Sequence, residues 1–264
     1  MKSKIDLVIM DWGIGGLSVY NEIHRRMPGL SILYYSDSGK TPYGKMSAKE
    51  LQSRLRHLIA RFEEQDIFHF IIACNAASTV LPQLKKEFSE RGLFVTGVID
   101  HGVELVRSSR KNRIGVIGGR RTILSRSYVT PFQNSKIKVT GRIAQPLSAL
   151  IERGELQTKL MQDTLKNILQ PLKSCNALVL ACTHYPAVSD QIQNILPECH
   201  LLDPAAATAD YVKKSWRLRR KNKTAKVRRL FMTSGNADEM KKSAFLAFSV
   251  KIPKILSCTL LNIE

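Results

Sequence analysis

Two cysteines stand at the ends of apolar runs, and their neighbours decide what they could do. Cys74 closes the run in "HFIIACNAAS" and Cys182 closes the run in "ALVLACTHYP". Each has a proton-handling residue within reach of the same rim. Asp11 ends the first apolar run, in "VIMDWGIGG", and His184 lies two residues past Cys182. A carboxylate or an imidazole beside a thiol can take or hold its proton. A thiol at a helix N-terminus carries more thiolate, because its pKa falls below the free value of about 8.5. Both cysteines are therefore expected to be activated. Singly, Asp11 reads as a turn residue before glycines and His184 as a core or capping histidine. Together with two thiols at strand ends they make a constellation.

Two like thiols facing one another suit inversion of a stereocentre next to a carboxylate. One sulfur removes the α-proton and the other returns a proton on the opposite face. Because the reaction runs both ways, the two groups must be alike, one thiolate and one thiol. Three other chemistries compete on the same residues. "DWGIGGLS", with Asp37 ending the second strand, imitates a dinucleotide fingerprint, but Gly13, Gly15 and Gly16 miss its spacing. Cys74, Cys182 and His184 could ligate a metal, although a fourth ligand is lacking. A lone Cys182–His184 pair could drive acyl transfer, which leaves Cys74 idle.

The elements that must position these groups alternate. Strand readings fall at "KIDLVIMD", "LSILYYSD", "IFHFIIAC", "LFVTGVI", "RIGVIGG", "KIKVTGRIA", "ALVLAC", "HLLDPA" and "RRLFMTS", with helical patterns between most of them. One such helix is expected from Ala77 through Lys86, and another over Thr158–Leu169. Alternating β and α with near-continuous apolar strands predicts an α/β fold, its parallel-rich sheets covered by helices. Two sets of strands, each with one "AC" end, predict two pseudo-symmetric lobes with the site in the cleft between them. The first lobe is expected to comprise 1–96 and 208–264, and the second 97–207. In such sheets ligands sit beyond the carboxyl ends of the strands.

Bulk properties narrow the class. The chain has 264 residues and 44% apolar content, enough for a substantial core. It holds no apolar run long enough to span a membrane, and its start reads as a strand rather than a signal peptide, so a cytoplasmic protein is expected. Five cysteines at long spacings, with no C-x-x-C, argue against a disulfide framework or a four-thiolate zinc site. Cys175, Cys199 and Cys258 read as small buried hydrophobes. The formal net charge is +19, and ten basic residues with no acid fall in Lys213–Arg229. That stretch reads first as a solvated face. A nucleic-acid contact is the alternative, without any RNA- or DNA-binding motif beside it.

At the level of motifs the sequence resembles the glutamate racemase branch of the aspartate/glutamate racemase superfamily. The stretches that carry the resemblance are "DWGIGGLSV", "PYGKMS", "IIACNAAS", "RIGVIGG", "IERGEL" and "ACTHYP", over nearly the whole chain. The resemblance implies cofactor-independent, two-base racemisation, with neither cofactor nor metal. It implies glutamate as substrate, and D-glutamate supplied for peptidoglycan. It assigns Cys74 and Cys182 as the acid/bases, with Asp11 assisting Cys74 and His184 assisting Cys182. Glu152 matches a family carboxylate near the second cysteine. Trp12, Tyr43, Gly44, Asn75, Ala76 and Thr183 fall at positions around the substrate, and a homodimer is implied. The chain departs from the family pattern where Trp12 replaces a serine, Ala76 a threonine and Gly119 a threonine, and His101 replaces a proline. Lost hydroxyls can leave a substrate oxygen unpaired, at about 1–3 kcal/mol each, and the Trp12 indole could either fill the pocket or turn outward. Racemisation of another amino acid, or a binding role through the basic segment, are the alternatives these departures open.

Overall fold

The computed structural model describes residues 5–216, 218 and 227–258. The first lobe opens with β1 (Leu7–Asp11), α1 (Leu17–Arg26), β2 (Ile32–Ser36) and α2 (Ala48–Glu63). It continues through β3 (His69–Ile72), α3 (Asn75–Ser78), α4 (Leu81–Glu90) and β4 (Phe94–Gly97). The second holds α5 (Val98–Ser108), β5 (Arg113–Gly118), α6 (Arg120–Leu124), β6 (Lys138–Ile143), α7 (Gln145–Glu152), α8 (Lys159–Leu169), β7 (Ala177–Ala181), α9 (Ser189–Ile195) and β8 (His200–Leu202). Then come α10 (Pro204–Ser215), β9 (Arg229–Thr233), α11 (Ala237–Phe248) and β10 (Ile255–Ser257).

The strands form two sheets, ordered β10-β9-β2-β1-β3-β4 and β6-β5-β7-β8. All pairings among the described strands are parallel. The order β2-β1-β3-β4 is repeated as β6-β5-β7-β8, so the lobes share one winding. The chain returns to the first sheet through β9 and β10, which pair beside β2. β4 ends at Gly97, and the second expected lobe boundary, at 207, falls inside α10.

Strand side chains alternate between faces, and each sheet feeds a core on both sides. In β1, Leu7 and Ile9 join one cluster with residues of α1 and α10, while Val8 and Met10 join another with residues of α2 and α4. In β7, Leu178 and Leu180 face α7 and α8, while Ala177, Val179 and Ala181 face α5. Strands buried on both faces explain why the runs read as continuously apolar rather than alternating.

Two local expectations are corrected and one strand is added. The helix expected from Ala77 to Lys86 is two helices, α3 and α4. Pro82 sits in the first turn of α4, where its missing N–H costs nothing. The strand expected at "LFVTGVI" stops at Gly97, and Val98 already begins α5. Strand β10, three residues long, has no sequence signal of its own. Most of the basic segment Lys213–Arg229 (residue 217 and residues 219–226) lies outside the described residues.

Candidate active site

The β1–β3 edge is where the winding of the first sheet reverses, the place where such sheets hold ligands. Asp11 ends β1, and Cys74 follows β3 by two residues. Asp11 is 1% exposed. Its Oδ1 accepts from the Trp12 N–H at 2.7 Å and its Oδ2 from the Gly16 N–H at 2.5 Å. Burial raises the Asp11 pKa, partly offset by the His184 charge and by a hydrogen bond from Cys74. The Cys74 thiol is itself pushed well up, first by burial and then by the Asp11 carboxylate, with a smaller contribution from Cys182. This reverses the expectation of a depressed Cys74. The helix after it, α3, has four residues and supplies little dipole, and one backbone hydrogen bond, from Ala77, does not outweigh desolvation. Cys74 is therefore held as the thiol member of the pair.

Cys182 follows β7 directly, the equivalent strand of the second sheet. Its Sγ lies 3.5 Å from His184 Nδ1, and His184 Nε2 lies 2.5 Å from Glu152 Oε1. Burial draws the His184 pKa down. The Cys182 sulfur and the Glu152 carboxylate outweigh it and hold the imidazole well above its usual value. A protonated His184 is thus placed to balance negative charge on Cys182. Ser148 Oγ, one helical turn before Glu152 on α7, lies 3.6 Å from the same sulfur.

The two half-sites touch across the cleft. Thr183 Oγ1 donates to Asp11 Oδ2 at 3.1 Å, and the Ile14 N–H donates to Glu152 Oε1 at 2.8 Å. These contacts explain the glycines of "WGIGG". A Cβ on Gly13 would collide with the Glu152 carboxylate, and one on Gly15 would stand 2.5 Å from His184 Nδ1 and 2.7 Å from Thr183 Oγ1. The turn is bare so that Glu152, Thr183 and His184 of the second lobe can lie on it, not to cradle a phosphate. Asp37 likewise is no ribose anchor. It is fully buried and accepts from Arg54 Nε and Arg54 NH2 at 2.8 and 2.7 Å, Tyr43 OH at 2.8 Å, Tyr35 OH at 2.9 Å and Ser234 Oγ at 3.0 Å.

The expected substrate shell is placed as follows. Asn75 is 3% exposed; its Oδ1 accepts from Tyr128 OH at 2.9 Å, and its Nδ2 has no hydrogen-bond partner among the described residues. Buried amide donors are rarely left unpaired, so this one is suited to a ligand acceptor. Tyr43 packs in the same cluster as Cys74, but its hydroxyl is engaged by Asp37. Gly44 faces the second lobe, where a Cβ would be 3.8 Å from Gln145 Oε1. Ala76 and Trp12 pack, half-buried, against the Cys74 cluster. The Trp12 indole turns toward the loop between β2 and α2 and donates from Nε1 to the Lys40 carbonyl at 2.9 Å. Gly119 precedes α6, and a Cβ there would be 2.9 Å from Gln145 Oε1. His101 Nε2 lies 2.8 Å from Thr96 Oγ1. Among the described residues no group of His, Cys, Asp or Glu has the arrangement of a metal site. The sequence reading missed Ser148 and Tyr128. Spacing on α7 could have flagged Ser148; nothing local flags Tyr128, which meets Asn75 only through the fold.

Residues 7–212 match the Asp/Glu/Hydantoin racemase family. The glutamate racemase of Persephonella marina is 36% identical over 211 residues, 78% of this chain and 80% of that one. The glutamate racemase of Shouchella clausii is 31% identical over 243 residues, 89% of this chain and 87% of that one. Among solved structures, glutamate racemase from Francisella tularensis in complex with D-glutamate superimposes with a TM-score of 0.86, at 25% identity, over 96% of each chain.

Proposed function

The chain belongs to the Asp/Glu/Hydantoin racemase family, and on that premise we propose that it interconverts L- and D-glutamate by two-base proton transfer between Cys74 and Cys182. The observation that carries the reading is the pairing of these sulfurs. Each follows the equivalent strand of its lobe, and the two lobes meet through Thr183 and Asp11. Glutamate is supported as substrate by the relatives at 31–36% identity and by the D-glutamate held in the Francisella enzyme.

In one direction the Cys182 sulfur, its charge balanced by His184, removes the α-proton. The Cys74 thiol then delivers its proton to the opposite face, and Asp11 receives and returns protons at that sulfur. The reverse direction exchanges the two roles. Glu152 fixes the imidazole through Nε2, which leaves Nδ1 facing Cys182. The unpaired Nδ2 of Asn75 and the backbone around Cys74 and Thr183 are offered to the substrate's carboxylate. A thiol and a thiolate suffice for this chemistry, so no cofactor is called on.

The proposal extends to the rest of the molecule. The two sheet-bearing bodies, divided near residues 97 and 207, close on the substrate, the protein works in the cytoplasm as a homodimer, and its D-glutamate enters peptidoglycan. No helix among the described residues is long and apolar enough to cross a membrane. Incubating the purified protein with L-glutamate, and separately with L-aspartate, and resolving the enantiomers tests the activity. D-glutamate should form, and Cys74→Ser or Cys182→Ser should lower the rate by roughly 10²–10⁴-fold, the usual weight of a positioned acid/base. Turnover of aspartate alone would reassign the substrate to the shell altered at Trp12, Ala76 and Gly119. Turnover of neither would overturn the proposal.

A further inference from the structure

The loop between β2 and α2 is held from two sides, and the second hold comes from the other lobe. Its first half is pinned within the first lobe. The Gly39 N–H donates to Ser234 Oγ at 3.0 Å, Ser38 Oγ lies 3.1 Å from Thr233 Oγ1, and the Lys40 carbonyl takes the Trp12 indole. Its far end is fixed by a capping box, in which Ser47 N–H donates to Glu50 Oε2 at 2.7 Å and Glu50 N–H to Ser47 Oγ at 3.2 Å. Between these anchors runs "PYGKM". There the carbonyls of Tyr43 and Met46 both accept from one guanidinium, that of Arg121 on α6. Arg121 Nε reaches the Tyr43 carbonyl at 3.2 Å, and its NH2 group bonds the Met46 carbonyl. A planar fork donates to two carbonyls from separate, rigidly held nitrogens, whereas lysine offers one compact ammonium on a flexible stem.

We propose that Arg121 is a positioning residue for the racemisation. By clasping the Tyr43 and Met46 carbonyls it closes the 42–46 loop against the second lobe, and so holds the cleft around both thiols shut during proton transfer. Tyr43 packs in the Cys74 cluster, and Gly44 faces Gln145 across the cleft, so the loop forms one wall of the site. The Ile14–Glu152 and Thr183–Asp11 contacts join the lobes at the β1 turn, and Arg121 joins them at this loop. Excluding water matters here because a carbanion beside a carboxylate takes protons from any source.

The proposal rests on the reading of the cleft as the active site, but its test does not need turnover. Each free cysteine is alkylated with iodoacetamide and followed separately by peptide mass spectrometry. In Arg121→Ala, Cys74 and Cys182 should react faster by roughly 5- to 100-fold, what the loss of two ordinary hydrogen bonds gives in a closing equilibrium. Cys199, buried in a second-lobe core that holds none of Arg121, Tyr43 or Met46, should keep its rate. Arg121→Lys, which keeps the charge and loses the fork, should fall between, and it serves if the alanine variant does not fold. Where turnover is present, KM should rise more than kcat falls. Unchanged rates at Cys74 and Cys182, or an equal rise at Cys199, would overturn the proposal. Clasped thiols in a protein without racemase activity would instead leave the clasp standing and sink the functional reading.

Discussion

At the scale of single residues the site is asymmetric although the fold around it is repeated. Cys74 is buried against a carboxylate and held as a thiol, while Cys182 faces an imidazole held protonated. Glu152 is the second contributor to that protonation after Cys182. Glu152→Gln should therefore lower the His184 pKa and move the alkaline limb of the kcat/KM profile to lower pH; an unmoved limb would separate His184 from Glu152 in catalysis. Gly15 carries a steric prediction. A methyl group there would stand 2.5 Å from His184 Nδ1, pushing the ring off Cys182. Gly15→Ala should keep the circular dichroism of the wild type and lose on the order of 10²-fold in kcat/KM, the cost of about 1 Å of misplacement. Wild-type activity in this variant would contradict the packing of His184 on the glycine turn.

At the scale of elements, Asp37 is the knot of the first lobe. It ends the β2 segment, binds Arg54 of α2 and Tyr43 of the loop between, and takes Ser234 from beyond β9. Arg54→Met would strand its buried charge, a loss of about 3–5 kcal/mol, measured as a lower urea midpoint. The double variant Asp37→Asn/Arg54→Met should recover part of it, and an equal or larger loss in the double variant would contradict the account. The elements also mark what the sequence could disclose. β1, β3 and β7 were legible because both faces are buried and the runs are almost wholly apolar. So were the residues at their ends, Asp11, Cys74 and Cys182, because the chemistry of an α/β sheet collects there. The thiol state of Cys74 was not legible: helix proximity can be read locally, but burial by distant elements cannot. The clasp by Arg121 and the partnership of Tyr128 with Asn75 were also hidden. They join residues far apart in the chain, and no local pattern marks either partner. β10 lay below any signal because three residues paired on one side leave no periodicity.

At the scale of the whole molecule, the site's burial should be visible in stability. Asp11, Cys74 and His184 all have native pKa values raised above their ordinary ones. The native state then binds more protons than the unfolded state between each ordinary value and its raised one, so stability falls with rising pH in those windows. For His184 the contribution is full below about pH 6.5, and for Cys74 below about pH 8.5, and each is lost as pH climbs through the native value. Urea unfolding between pH 6 and 10 should show a declining free energy, with a shallower decline in His184→Asn. A free energy that rises with pH would contradict these environments.

In the proposed mechanism two sulfurs on opposite lobes act on opposite faces of one α-carbon. It is tested most directly by running the reaction from pure L-glutamate in D₂O and measuring deuterium in each enantiomer at early times. Deuterium is expected at the α-carbon of the D-glutamate formed while the remaining L-glutamate keeps its protium, because the proton added comes from a different group than the proton removed. Deuterium appearing equally in both enantiomers from the start would mean a single base serving both faces, and would contradict it.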